Sequence, residues 1–157
     1  IVRNYGGGAP DSSLPAIYPR LKPDDAGHLE VQSPSWRPQL IVINLGTNDF
    51  STPLKPGERW TNDAELTEAY RARYVQFVRG LQKGQPQARF ILMGSDLFFA
   101  KVEGVAAELK RGGLDRVSTL RFAGLDYGGC DYHPSLSDDR TLADLLQTEI
   151  ERLRSLR

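Results

Sequence analysis

LIVINLGTNDF, residues 40 to 50, sets an unbroken apolar run directly against a small polar turn. Leu40, Ile41, Val42, Ile43 and Leu45 show none of the alternation expected of a half-buried strand. The run therefore predicts a parallel strand covered on both faces and ending at Gly46. RFILMG (Arg89–Gly94) repeats the pattern, and VSTLRF (Val117–Phe122) gives a third strand.

The segments between them carry helical spacing. Asn62 followed three residues later by Glu65 has the form of a capping box. Leu66, Tyr70, Tyr74, Phe77, Val78 and Leu81 then recur on one helical face until Gly84. A second helix is expected from Phe98 to Lys110, weakened by Gly104 and stopped by Gly112-Gly113. The last helix is expected to take Ser137 as its N-cap, with Asp138 and Asp139 in the first turn, where the helix dipole favours negative charge. Leu142, Leu145, Leu146, Ile150 and Leu153 form its apolar stripe, and Arg152, Arg154 and Arg157 suit its C-terminal end. Residues 1 to 38 are rich in Gly, Pro, Ser and Asp and read as irregular, with a short helix near Leu14–Tyr18.

Strands alternating with helices indicate an α/β domain with a parallel sheet. Right-handed crossovers bring the carboxyl ends of such strands to one edge, where ligands of open α/β sheets bind. The loop after the first strand carries GTNDF, that after the second GSD, and that after the third GLDYGGCDYHPS. The polar candidates thus converge on one edge.

The totals narrow the classes of function. A chain of 157 residues suits one domain. Twenty basic and twenty acidic side chains give zero formal charge, which points away from nucleic acid and from membrane surfaces. No apolar run reaches the ~20 residues of a membrane helix. One Cys excludes an internal disulfide. The opening IVRNYGGG, without an initiator Met, suggests a processed or truncated polypeptide. Gly6–Gly8 lack the spacing of a phosphate loop.

His133 is the leading chemical candidate. A lone histidine is more often structural or merely exposed than catalytic. This one lies in a Gly-flanked loop on the converging edge, just before a capped helix, and imidazole is the natural general base at neutral pH. Asp131, two residues earlier, either orients that ring or caps a turn. Asn48 offers a side-chain N–H for a developing oxyanion, and Gly46 permits close backbone approach; the plainer reading is a turn leaving a strand. Asp49 is placed with the substrate-contacting residues or as a cap of that turn. Tyr132, Trp60, Tyr127 and Trp36 are candidates for a sugar-binding cleft or for core packing. Cys130 is expected to be a small buried residue rather than a nucleophile, and His28 a surface residue. With one Cys and two distant His, metal ligands are scarce.

Taken together, IVINLGTNDFS and GCDYHPS resemble the later blocks of the SGNH (GDSL-like) hydrolases, and most closely those of carbohydrate esterase family 2. The opening IVRNYGG is similar to a segment of that family too. The resemblance implies a three-layer α/β/α fold and a serine esterase that removes acetyl groups from xylan or related polysaccharides without metal or cofactor. It implies His133 as base, Asp131 as its acid and Asn48 at the oxyanion; Gly46 beside Asn48, and Tyr132, Trp60 and Asp49 toward the sugar, complete the site candidates read from the residues themselves. Typical SGNH enzymes place the acid three residues before the base, where this chain has Cys130; in some family members a backbone carbonyl orients the imidazole instead. The family's nucleophile belongs to a Gly-Asp-Ser block on its first strand. No such block occurs here, and GSD at Gly94–Asp96 has the order reversed. Residues 1–157 are accordingly expected to be a partial catalytic domain lacking the first strand, with the serine on an N-terminal segment or separate chain. The family's substrates imply a secreted or periplasmic location. A non-catalytic carbohydrate-binding module or inactive remnant, and a lipase- or thioesterase-like hydrolase, are the alternatives.

Overall fold

The computed structural model describes residues 1–5, 12–20, 22–25, 27, 35 and 37–155. Gly6–Gly8, His28, Trp36 and Arg157 lie outside the described residues. The elements in chain order are α1 (Leu14–Ile17), β1 (Leu40–Asn44), α2 (Thr47–Phe50), α3 (Asp63–Gly84), β2 (Arg89–Ser95), α4 (Phe99–Arg111), β3 (Val117–Phe122) and α5 (Leu136–Ser155).

The three strands form one parallel sheet with β2 in the centre. Ile43 pairs with Leu92 and Leu92 with Thr119, so the carboxyl ends of all three strands reach the same edge. Successive β2 side chains face opposite ways. Phe90 and Leu92 join Ile43, Tyr70, Tyr74, Val78, Val102, Val105 and Leu109 in the core under α3 and α4. Ile91 and Met93 join Phe122 and Leu153 in a second core, on which Leu142, Leu145, Leu146 and Ile150 of α5 pack. The result is a helix–sheet–helix sandwich, the parallel α/β domain that the alternating pattern indicates and the three layers that the resemblance implies.

β2 is the strand buried on both faces, with Phe90 through Gly94 all buried. β1 departs from the expectation. Its inner-face residue Ile43 is buried, but Val42 is 37% exposed and Asn44 is exposed. The reason is position: β1 is an edge of the sheet, and α5 covers the face of β2 and β3 without extending over Val42. The apolar run correctly signals a core strand, while on its outward face Leu40 packs on the second core and Val42 stays exposed.

The capping predictions divide in the same way. Asn62 Oδ1 accepts from the Glu65 amide at 3.0 Å, and Glu65 returns the bond one residue earlier than expected, to the Thr61 amide at 2.8 Å. Gly112 closes α4 as anticipated. The last helix, however, is capped by Ser135 rather than Ser137. Ser135 Oγ accepts from the Asp138 amide at 3.2 Å, and Asp138 accepts from the Ser135 amide at 2.9 Å. That reciprocal S-x-x-D box moves the start of the helix ahead of Ser137.

Candidate active site

Two loops at the carboxyl edge carry the predicted chemistry, and each is anchored by one buried aspartate. The first begins at Gly46, whose φ of 146° lies outside the range that other residues readily adopt. A Cβ there would also sit 2.5 Å from the Phe98 ring and 2.9 Å from the Tyr70 hydroxyl. Gly46 is therefore what lets β1 turn sharply into the single turn of α2. Asn48, on that turn, is exposed at the edge.

Asp49, next to it, faces inward and is only 1% exposed. Its carboxylate accepts from the backbone nitrogens of Ile1 (2.8 Å), Val2 (2.8 Å) and Arg3 (2.9 Å). This corrects the expectation that Asp49 meets substrate: both oxygens are engaged inside the protein, binding residues 1–3 to the loop. Arg3 completes the clip. Its buried guanidinium donates to the Asp49, Thr52 and Pro53 carbonyls and pairs with both oxygens of Glu58, at 2.6 and 2.8 Å. The hydrogen bond from Arg3 holds the Glu58 carboxyl down at about 2. Behind the loop, the Tyr70 hydroxyl donates to the Leu45 carbonyl at 2.7 Å. Burial, aided by Tyr74 and Asp49, pushes that phenol well above the ordinary tyrosine range, so it stays protonated.

The second loop runs from β3 to α5 and is built differently. Tyr127, Asp131 and Tyr132 have φ of 51°, 53° and 59°, a left-handed conformation costing ~1 kcal/mol or more at each non-glycine residue. Cys130–Tyr132 make a short 3-10 turn. The Gly129 amide donates to the His133 carbonyl at 3.0 Å. A Cβ on Gly129 would lie 2.7 Å from that carbonyl oxygen and 2.6 Å from that of Pro134, so only glycine fits the crossing.

His133 is exposed, and its Nδ1 lies 3.0 Å from the Cys130 carbonyl oxygen. A carbonyl can only accept, so this contact is a hydrogen bond when Nδ1 carries the proton, which leaves Nε2 as the free acceptor. Of the two orienting groups left open by the sequence, Asp131 and a backbone carbonyl, it is the Cys130 carbonyl that lies at the ring, while Asp131 occupies a left-handed turn position. Cys130 is exposed, not buried as expected, because its turn sits on the surface. Tyr132 is 90% exposed beside the histidine, whereas Trp60 is half-buried in the loop between α2 and α3. Asp96, after β2, pairs with Arg121 at 2.5 Å on the same edge. Among the described residues there is no grouping of three or more His, Cys, Asp or Glu suited to a metal ion. Likewise, no helix among them is long and apolar enough to cross a membrane.

Residues missed in the sequence are those that hold the loops rather than face outward. Arg3 and Glu58 are 55 positions apart and give no local signal. Asp138 was legible as a first-turn acid, and the S-x-x-D spacing from Ser135 would have marked it as a capping partner.

In sequence and fold the chain is similar to carbohydrate esterases, among them one of family two. An acetylxylan esterase/glucomannan deacetylase of Cellvibrio japonicus (strain Ueda107) is 46% identical over 162 aligned residues, covering 99% of this chain and 44% of the relative. A solved carbohydrate esterase, described as displaying divergent catalytic and non-catalytic binding functions in its active site, superposes with a TM-score of 0.89 at 46% identity. That match covers 96% of this chain and 49% of the other. A family two carbohydrate esterase from Clostridium thermocellum, solved in complex with cellohexaose, has a TM-score of 0.79 at 28% identity over 98% of this chain and 47% of its own. The chain thus spans about half or less of the length of these relatives. No family model matches it.

Proposed function

We propose that the chain is the histidine-bearing part of a polysaccharide deacetylase, a carboxylic-ester hydrolase that releases acetate from xylan, glucomannan or a related polymer. The observation that carries this reading is the hydrogen bond from His133 Nδ1 to the Cys130 carbonyl. It leaves Nε2 free to take a proton, on the sheet edge that also presents Asn48.

In the proposed reaction a serine from outside these 157 residues loses its hydroxyl proton to His133 Nε2 while its oxygen attacks the acetyl carbonyl carbon. The oxyanion is stabilised by the Asn48 side-chain N–H and by backbone amides, with Gly46 shaping the turn that presents them. Collapse expels the sugar oxygen, which takes the proton from His133. Water then repeats the cycle on the acetyl-serine and liberates acetate. Tyr132 offers an exposed ring on which a sugar face stacks, and Trp60 lines the approach. Uncovered β1 is the edge where a strand carrying the serine would pair. A polymeric substrate requires a site of action outside the cytoplasm, so secretion or periplasmic export is part of the proposal.

The test is acetate release from 4-nitrophenyl acetate and acetylated xylan, with and without an added segment carrying a Gly-Asp-Ser strand. Activity only with the segment supports the split catalytic pair. Activity of the 157 residues alone would overturn the serine's placement and direct attention to Ser95. The cellohexaose complex of the Clostridium thermocellum neighbour favours one second reading, carbohydrate binding without turnover. Retention on cellulose or xylan with no activity in either preparation would establish it.

A further inference from the structure

The loop bearing His133 has little packing to hold it. Cys130, Asp131, Tyr132 and His133 are exposed, and of the segment just before them only Leu125 packs on a core. Three left-handed residues and a backbone crossing at Gly129 nevertheless persist in it. Something must close the loop from its ends, and one side chain touches both.

Asp138, 4% exposed on the first turn of α5, accepts from the Asp126 amide with Oδ1 at 2.9 Å. Its Oδ2 accepts from the Tyr127 amide at 3.0 Å and the Ser135 amide at 2.9 Å. Those donors are the entry and exit of the histidine loop. Inside the clamp, Gly129 donates to the His133 carbonyl, and the Cys130 carbonyl receives both the His133 amide, at 3.1 Å, and its ring Nδ1, at 3.0 Å. The ring's proton is therefore placed by a carbonyl whose direction depends on the 3-10 turn, and that turn survives because its ends are pinned.

We propose that Asp138 is a positioning residue that fixes the Nδ1–H tautomer of His133 by clamping both ends of its loop. The idea deepens the reading of His133 as a base, because only that tautomer leaves Nε2 free to take a serine proton. Burial alone would raise the Asp138 carboxyl, but the amides of Ser135, Asp126 and Tyr127 prevail and hold it at about 2, so the clamp stays charged at any working pH.

The chain has two histidines, so ¹⁵N spectra of the imidazoles resolve the question directly, with His133→Ala assigning the signal and His28 as internal reference. At a pH where both rings are neutral, the unmodified chain should show His133 protonated at Nδ1. In Asp138→Asn the carboxylate is lost while the shape is kept, and the pattern should move toward the Nε2–H form that free imidazole prefers, with His28 unchanged. A folded Asp138→Asn whose His133 keeps the Nδ1 proton overturns the proposal, as does an unmodified chain already protonated at Nε2.

Should Asp138→Asn fail to fold, Ser135→Ala removes only the hydroxyl half of the box and should give a smaller shift in the same direction. No shift there, together with rapid exchange of the Asp126, Tyr127 and Ser135 amides in the unmodified chain, would equally sink the clamp. In the complete enzyme, Asp138→Asn should lower kcat ~100-fold with KM little changed. The imidazole spectrum does not depend on turnover. An inactive enzyme whose tautomer follows Asp138 would refute the esterase reading and leave this inference standing, and an active one whose tautomer ignores Asp138 would do the reverse.

Discussion

The loops bearing Asn48 and His133 share one device and differ in what lies behind it. In each, a single buried carboxylate accepts from three backbone nitrogens: Asp49 from Ile1, Val2 and Arg3, and Asp138 from Asp126, Tyr127 and Ser135. The Asn48 loop is also backed by packed aromatics. Phe50 meets Tyr70 edge-on at 5.0 Å, Phe98 presses on Gly46, and Arg3 ties the loop to Glu58. The His133 loop has no aromatic backing; apart from Leu125, which packs on the second core, hydrogen bonds hold it. An oxyanion donor must stay still while charge develops, which suits a loop resting on the core. A base that accepts and returns a proton needs its ring axis fixed but its outer nitrogen open, which suits an exposed loop closed at its ends.

The largest expected effect tests the chemistry of the pair. His133→Ala in the complete enzyme should lower kcat ~1,000-fold or more, measured by acetate release. Asn48→Ala should lower it ~100-fold with the fold intact; near-unchanged turnover would remove Asn48 from the oxyanion assignment. Next comes the support. Asp49→Ala orphans three backbone nitrogens and should destabilise the chain by about 3 kcal/mol, lowering Tm by roughly 10 °C in a thermal melt. A melt shifted by less than 2 °C would mean that the Asn48 loop does not need its anchor.

Acid should separate the regions further. Asp138 and Glu58 both titrate at about 2 in the folded chain, below the ~4 of free carboxylates. A depressed folded value stabilises above the unfolded value and is lost as pH falls through the folded one. Stability should thus be flat from neutral pH to about 5 and decline between about 4 and 2. Amide exchange at Asp126, Tyr127 and Ser135 should quicken within that window, before exchange in β2, whose residues Phe90 through Gly94 are buried. The smallest effect is expected of Asp131→Ala. With the ring held by the Cys130 carbonyl, acetate release should change by no more than about threefold, and a 100-fold loss would return Asp131 to the role of orienting acid.

Much of this architecture was legible before any coordinates. Two apolar runs, the strand segment Val117–Phe122 and three periodic segments are local patterns, and each became the strand or helix it predicted, because burial period acts within a few residues. The placement of Asn48 and His133 at one edge was legible as well, since a parallel sheet sends the loops after its strands to the same side. The uncovered face of β1 was not, because Val42 looks the same in sequence whether or not a helix lies over it.

Local pattern therefore suffices for the sheet, its helices and the edge to which the candidate loops run. The fold alone turns Asp49 inward to hold residues 1–3, sets Arg3 against Glu58 across 55 positions, and leaves the Cys130 carbonyl oxygen 3.0 Å from His133 Nδ1. The physical reason is common to all three. A polar side chain bonds to whichever partner the folded backbone brings within about 3 Å, and spacing along the chain does not contain that distance.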